Sequence, residues 1–149
     1  MTRQETAGQL DLAGIRTLVS EYCDEVVRPL RPHVREWIGP ASARVPWDAI
    51  EEGSRRGIRT LGVPAARGGG GADLLGLCVA AEGLARADMG IAVAFDQTWK
   101  CAATIESLGT GEQKDWFYDR FIHDHRFLLA IAMTEPGNGT DKYIYPEGS

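Results

Sequence analysis

The residues best suited to hold a ligand lie in one short stretch near the end of the sequence, residues 130–141, which read AIAMTEPGNGTD. Pro136-Gly137 fits the two central positions of a type II turn, and Asn138-Gly139 fits a tight reversal that needs positive φ. Two successive reversals direct backbone N–H groups to one side. That arrangement binds anions such as a diphosphate.

Two threonines and two carboxylates surround these turns. Thr134 and Thr140 offer hydroxyl groups that can donate or accept hydrogen bonds. Glu135 and Asp141 would repel a phosphate unless their carboxylates turn away to bond the backbone or a remote cation. An ordinary hairpin between two strands would use the same turn residues, and the local chemistry leaves both interpretations open.

A second glycine-rich stretch, residues 67–71 (RGGGG), resembles a phosphate-binding loop in its glycine content alone. It lacks the Gly-Lys-Ser/Thr ending of a P-loop and does not follow a buried strand. We therefore predict a flexible connection between helices.

The histidines and serines do not form a site that sequence can identify. His33, His123 and His125 show no ligand spacing with the cysteines, and a zinc site needs three or four ligands. We therefore expect no metal. No serine lies in a nucleophile elbow, so we predict no serine nucleophile either.

Two carboxylates, Glu82 and Asp96, stand among apolar neighbours, where a buried acid could acquire a perturbed pKa. Because unpaired carboxylates are almost never fully buried, we predict that both point to solvent at the rim of the core. Phe95 and Trp99 are predicted to be core residues.

The elements that must position these residues are helices. Apolar side chains spaced three and four apart begin at Leu12 and predict one long amphipathic helix. Pro29 and Pro32 predict a kink or break near Arg28. A second helix is predicted over Trp47 to Arg56, ended by Gly57.

Three further helices follow in the pattern. Asp73 can cap the third, Gly90 separates it from a fourth over Ile91 to Leu108, and Thr110 to Gln113 form a capping box for the fifth. Their predicted buried faces consist of Leu74, Leu77, Cys78, Ala81, Leu84 and Ala85, then Phe95, Trp99, Ala102 and Ile105, then Trp116, Phe117 and Phe121.

The pattern changes after His125, where residues 126–133 form a short apolar run of strand length. We predict an all-α fold, a helical bundle over 1–125, followed over 126–149 by the first strand and binding loop of a β-domain. A lone strand has nothing to pair with, which suggests a fragment.

Composition narrows the function classes. The chain has 149 residues, 44% of them hydrophobic, and a formal charge of −5 with scattered basic residues, which argues against a nucleic-acid surface. The sequence predicts no secretory signal and no membrane span. Cys23, Cys78 and Cys101 are predicted to be buried free thiols, as in a cytoplasmic protein.

Four motifs together resemble the flavin-dependent acyl-CoA dehydrogenases. Residues 133–141, MTEPGNGTD, match that family's Ser/Thr-Glu-Pro-x-x-Gly-Ser/Thr-Asp signature and the apolar residue before it. Residues 61–64 with the glycines after them, residues 82–86 and residues 108–114 are similar to three upstream motifs in the family's order and spacing. The resemblance covers nearly the whole chain.

The resemblance implies a longer protein with a helical N-terminal domain, a central β-domain and a C-terminal helical domain. By this likeness Thr134 hydrogen-bonds the flavin of FAD near O4 and N5, and Gly139 and Thr140 contact its diphosphate. The backbone of Ile131 and Met133 would line the flavin ring.

The family's reaction removes an α-proton with a glutamate and transfers a β-hydride to FAD, which gives a 2,3-enoyl thioester of fatty acid metabolism. The resemblance places that glutamate in the C-terminal domain, so no catalytic residue is expected in this chain. Thr140, Ala92, Val93 and Asp96 are candidate contacts for the acyl-CoA, and an Asp there suits a polar or short acyl group. The implied partners are an electron-transfer flavoprotein or another acceptor and further copies of the chain, in a dimer or tetramer.

One departure and two rival functions remain. Residues 142–149, KYIYPEGS, replace the apolar or small stretch that usually follows the signature. A standalone helical binding or assembly module would keep the fold without catalysis. An oxidase or monooxygenase on the same scaffold would pass its electrons to oxygen.

Overall fold

Helices make up the regular structure of the computed structural model, which describes residues 11–32, 45–132, 134 and 136. The α-helices are α1 (Leu12–Tyr22), α2 (Arg28–Leu30), α3 (Trp47–Arg55), α4 (Leu74–Ala87), α5 (Met89–Leu108) and α6 (Gly111–Phe121). A π-helical turn, Cys23–Val27, joins α1 to α2, and a 3-10 turn covers Ala65–Arg67. The prediction of an all-α fold is confirmed.

The first helix loses its regular α-helical pattern in a π-helical turn that ends next to Arg28, where the sequence predicts a kink or break. Its π-helical turn begins at Cys23, and the Arg28 N–H donates to the Cys23 carbonyl five residues back. Pro29 has no N–H for the Glu25 carbonyl, and its ring would clash with that carbonyl in a regular α-helix. The helix therefore widens just before the proline and continues as α2.

Side-chain caps start α1, α4, α5 and α6, and the caps of α4 and α6 lie where the sequence predicts them. The Gly76 N–H donates to the Asp73 carboxylate over 2.8 Å at the start of α4. Both halves of the Thr110–Gln113 capping box form at α6. At α5 the cap is Asp88, which accepts from the Ile91 N–H, so Gly90 lies inside the first turn and the prediction that it separates the helices was wrong.

The core divides into two clusters. The first cluster joins α1, α3, α4 and the front of α5, and Tyr22 ties α1 to α3 by donating to the Ala49 carbonyl over 2.9 Å. The second cluster lies around α6. Its buried members are Val63, Ala102, Phe117, Tyr118 and Phe121.

The predicted buried face of α4 was wrong in part. The structure buries Gly76, Ala80, Leu84 and Ala87, while Leu74 and Cys78 are exposed. The reason is the approach of α1: a Cβ built on Gly83 would lie 2.7 Å from Val19 Cγ1. Small residues on this face admit the neighbouring helix, which a search for large apolar residues does not detect.

The faces of α5 and α6 are closer to the prediction. Phe95, Trp99 and Ala102 are buried, and so are Phe117 and Phe121. Trp116 is exposed under the Arg120 guanidinium, 4.4 Å from the ring centroid, and Tyr118 takes the buried position instead.

The three cysteines differ in burial, although all are free. Cys23 is buried as predicted, Cys101 is half-buried and Cys78 is exposed. Within the described part of the chain, no helix is both long and apolar enough to cross a membrane.

The predicted strand at residues 126–133 is not formed in the part of it that the structure describes, residues 126–132, where no strand is assigned. A strand needs a partner to take up its backbone N–H and C=O groups. The segment instead bonds side chains of the helical domain.

Candidate functional site

The glycine run after Arg67 is a packed loop and not a phosphate cradle. The amides of Gly69 and Gly70 donate to the carbonyls of Pro64 and Thr60 over 3.3 and 3.0 Å, and the Gly71 amide donates to Val63 over 2.8 Å. A Cβ on Gly69 would lie 2.3 Å from Val63 Cβ. The run connects α3 to α4 as predicted, and its amides already have acceptors within the protein.

A buried cation that the sequence did not reveal stands beside this loop. The Arg59 side chain is 1% exposed. Its guanidinium donates to the carbonyls of Phe121 over 2.7 Å and Phe127 over 3.3 Å, and it lies 4.3 Å from the Phe121 ring centroid. Burial lowers the pKa of Arg59 to about 10, so it stays protonated at neutral pH.

The carbonyls that Arg59 contacts explain why a cation is tolerated there. Phe121 is the last residue of α6, and the last carbonyls of a helix have no partner within it. They also carry the negative end of the helix dipole. Nothing in the residues around Arg59 signals this role, since its acceptors lie more than sixty positions away.

The segment after α6 is fixed on two sides. Arg126 Nε lies 3.2 Å from Glu51 Oε1, and its guanidinium lies 4.5 Å from the Trp47 ring centroid. The Leu129 N–H donates to Thr98 Oγ1 over 3.2 Å. These contacts hold the segment against α3 and α5.

The predicted cofactor-binding residues begin where these contacts end. Ile131 is 50% exposed, and Ala130, Ala132 and Thr134 are exposed as well. These residues are therefore accessible to a bound group. Met133, Gly139 and Thr140 lie outside the described residues.

The predicted substrate-binding residues on α5 do not all reach the surface. Ala92 is 4% exposed and belongs to the first cluster. Val93 is 47% exposed, and Asp96 follows one turn later, with Lys100 Nζ 2.5 Å from its carboxylate. The structure brings Val93 and Asp96 onto one accessible face and places Ala92 behind it.

The prediction for the two carboxylates is confirmed. Glu82 pairs with Arg86 over 2.7 Å on the exposed side of α4, and Asp96 lies at the rim of the core beside Lys100. In the described residues, no group of three or more His, Cys, Asp or Glu side chains could hold a metal ion.

A surface pocket of about 380 Å³ lies between the 3-10 turn and α6. Its one arginine, Arg67, already pairs with Asp115 and lies 5.5 Å from the Tyr118 ring centroid. Burial, together with Glu106 nearby, raises the pKa of Tyr118 to about 12. The charge of Arg67 is thus balanced within the pocket, and none of the predicted site residues lines the pocket.

Comparison with protein families gives one match over most of the chain. The family model described as the acyl-CoA dehydrogenase N-terminal domain matches residues 11–124. This range runs from the cap of α1 to just past the end of α6.

Curated relatives match over a similar part. A short-chain specific acyl-CoA dehydrogenase of Clostridium acetobutylicum is 28% identical over 130 residues, which cover 85% of this chain and 32% of the relative. A 3-(aryl)acrylate reductase of Clostridium sporogenes is 27% identical over 128 residues, with the same coverage of 85% and 32%. A mitochondrial isobutyryl-CoA dehydrogenase of Dictyostelium discoideum is 27% identical over 112 residues, 75% of this chain and 26% of the relative. The chain spans between about a quarter and a third of the length of these relatives.

Proposed function

The chain belongs to the acyl-CoA dehydrogenase family, and from this premise we propose that it is the N-terminal part of an FAD-dependent oxidoreductase that converts an acyl-CoA thioester to the 2,3-enoyl-CoA. The match of the family model over residues 11–124 carries the proposal. The division into a helical domain over 1–125 and the opening of a β-domain over 126–149 is part of it.

The flavin-binding residues of this proposal follow the helical domain directly. The exposed Thr134 hydroxyl would bond the polar edge of the flavin, and the backbone of Ile131 and Met133 would lie along its ring. Gly139 and Thr140 would hold the diphosphate through backbone N–H and hydroxyl groups. FAD, when bound, supplies the hydride acceptor.

Substrate binding would use the accessible face of α5. Val93 offers an apolar contact, and Asp96 offers a carboxylate whose charge is already balanced by Lys100. A polar or short acyl group could replace the water around Asp96, whereas a long apolar tail could not. Ala92 would act from beneath, by keeping α5 close to its neighbours, and Thr140 would approach the thioester from the binding loop.

Catalysis, reoxidation of the flavin and assembly would require parts of the protein beyond these residues. We place the catalytic glutamate outside this chain, so the chain alone would not turn over substrate. An electron-transfer flavoprotein or another acceptor would reoxidise the flavin, and the complete enzyme would be a cytoplasmic homo-oligomer. Similarity to a protein named 3-(aryl)acrylate reductase favours one second candidate, the reverse reaction on an unsaturated substrate.

To test the proposal, the protein is produced from a reading frame continued past Ser149, and its FAD content and its activity on acyl-CoA are measured. We expect a yellow protein that contains FAD and oxidises acyl-CoA. Thr134→Val removes one hydroxyl at nearly constant volume, so it should weaken FAD binding about five- to tenfold or shift the flavin absorption. FAD content, absorption spectrum and turnover measure this.

The matched control is Thr104→Val, because the exposed Thr104 hydroxyl donates only to the Lys100 carbonyl of its own helix. It should leave the spectrum unchanged. A Thr134→Val protein with unaltered spectrum, FAD content and rate would refute the role of Thr134. A colourless wild-type protein that forms a defined oligomer would favour a helical binding module instead, and rapid reoxidation by air would favour an oxidase or monooxygenase.

A further inference from the structure

We propose that Arg59 is a positioning residue for the flavin-binding segment: its buried guanidinium fixes the point at which the chain leaves the helical domain toward Ile131 and Thr134. This inference rests on the proposed function, because it assigns a purpose to the exact placement of that segment. The anchoring of the segment by Arg59 does not depend on the flavin and can be tested on this chain alone.

The first observation is that Arg59 is buried and that no carboxylate of the described residues bonds it directly, although the charge of Asp124 acts on it from a distance. Buried arginines are normally paired with acids, because an uncompensated charge loses its hydration. Among the described residues no carboxylate forms an ion pair with Arg59, and its acceptors are the carbonyls of Phe121, Ile122 and Phe127 over 2.7, 3.4 and 3.3 Å. The Arg59 guanidinium therefore fixes the position of these backbone carbonyls.

The second observation is where these acceptors lie. Two of them end α6, and the third follows the turn that leads out of the helix. A single planar guanidinium therefore joins the two sides of the turn. The Phe127 ring adds a second hold, since it lies 5.8 Å from the Phe121 ring, centroid to centroid, and Phe121 itself lies under the guanidinium.

The third observation is where the contacts of the segment end: Leu128 and Leu129 still pack on the two clusters, and beyond them the chain is exposed. Leu129 has one hydrogen bond to Thr98, and residues 130–132 are exposed. Ile131 comes four residues after Phe127 and Thr134 seven. An error in the position of the Phe127 carbonyl would thus pass to the residues that are proposed to meet the flavin, where a shift of about 1 Å can cost roughly a hundredfold in rate.

Two substitutions of Arg59 separate the effect of its hydrogen-bond donors from the effect of its charge. Arg59→Met keeps most of the volume and removes every donor, and Arg59→Lys keeps the charge but cannot reach three carbonyls with one planar fork. Arg59→Lys is the variant to rely on where Arg59→Met fails to fold. The matched control is Arg86→Met, which removes an exposed guanidinium that pairs with Glu82.

The first measurement is amide hydrogen exchange on this 149-residue chain. In Arg59→Lys we expect the Leu129 amide to exchange at least tenfold faster, and by a larger factor than the amide of Leu84 in the first cluster, which reports the global stability. Arg86→Met should alter neither. Unchanged exchange at Leu129, or an equal increase at Leu84, would overturn the anchoring role, since the second result reports a general loss of stability.

The second measurement uses the longer, flavin-containing protein. Arg59→Lys should raise the FAD dissociation constant at least tenfold or shift the visible circular dichroism of the flavin, measured at a temperature at which both proteins are fully folded. If wild type binds FAD and Arg59→Lys leaves both properties unaltered, the positioning role is wrong even though the proposed function stands. If wild type binds no FAD, the proposed function fails and the flavin role of Arg59 fails with it, whatever exchange shows of the anchor.

Discussion

Gly69 lies so close to the preceding segment that an added Cβ would be 2.3 Å from Val63 Cβ and 2.7 Å from the Thr60 carbonyl oxygen. Backbone atoms cannot move aside as the end of a flexible side chain can. We therefore expect Gly69→Ala to lower the free energy of unfolding by about 1–3 kcal/mol or more. Urea denaturation followed by circular dichroism measures it.

Gly111 provides the control for that substitution. It is the first residue of α6, and a Cβ there would meet nothing within 4 Å. Gly111→Ala should be neutral or stabilise by up to about 1 kcal/mol, because alanine has less freedom to lose on folding. Equal effects at both positions would mean that the crowding at Gly69 is not what limits substitution.

The cysteines should react in the order of their exposure. Cys78 is exposed, while burial raises the pKa of the thiols of Cys101 and Cys23. A raised pKa lowers the fraction of the reactive thiolate at neutral pH. Maleimide added to the native protein should therefore modify Cys78 first, Cys101 next and Cys23 last, as mapped by mass spectrometry.

Cys78→Ser should remove the fast phase of that labelling and leave the other two phases unchanged. In denaturant all three thiols should react at similar rates. Fast labelling of Cys23 in the native protein would contradict its position between α1 and Gly83, whose carbonyl oxygen lies 3.7 Å from Cys23 Sγ.

How far single residues could be predicted depended on the range of their contacts. Asp73 and Thr110 cap their helices through amides three residues away, and a local pattern identifies them. Arg59 bonds carbonyls 62 and 68 positions away, which no local pattern contains. The signature that carries Thr134 was recognised by its resemblance, since local chemistry left a hairpin equally open.

At the scale of elements, the contact between α1 and α4 depends on the absence of a methyl group at Gly83. Val19 Cγ1 would lie 2.7 Å from a Cβ there, and valine has little rotamer freedom in a helix. Gly83→Ala should destabilise the protein by about 1–2 kcal/mol, since overpacking outweighs the gain in helix propensity of roughly 1 kcal/mol. Thermal or urea unfolding measures the change.

A double-mutant cycle with Val19→Ala tests the cause. Removing the valine methyl groups makes room for the alanine, so the double variant should be more stable than the sum of the single effects by about 1 kcal/mol or more. Additive effects would place the cost of Gly83→Ala elsewhere than in this contact.

The contact between α1 and α4 also explains why the buried face of α4 was not predicted correctly. The number and order of the main helices follow from periodicity and caps. The buried face of α4 does not, because Gly76, Ala80 and Gly83 look neutral in a pattern of large apolar residues. The predicted strand at 126–133 was read from a composition that suits a strand, but its formation depends on a partner that the described residues do not supply.

At the scale of the whole molecule, α5 links the two clusters, since Trp99 belongs to the first and Ala102 to the second. Trp99 also donates to the Ile58 carbonyl over 2.8 Å, next to Arg59. We expect the clusters to unfold together. Phe121→Ala, which empties part of the second cluster, should cost about 3–5 kcal/mol and reduce amide protection at Val19 in α1 by the same free energy.

Leu108→Ala is the control, because Leu108 is 79% exposed at the end of α5 and its removal leaves no cavity. It should change stability by less than about 0.5 kcal/mol. Protection that falls only in α6 after Phe121→Ala would show that the second cluster opens by itself.

The distance in sequence between Arg59 and its acceptors also determines when the hydrogen bonds of Arg59 can form during synthesis of the protein. The Phe121 carbonyl lies 62 positions downstream of the guanidinium, so at about 5–20 residues per second it is synthesised roughly 3–12 s after Arg59. During that interval the guanidinium has no acceptor from α6. Folding of the helical domain on the ribosome should therefore finish late, only after the end of α6 has left the exit tunnel.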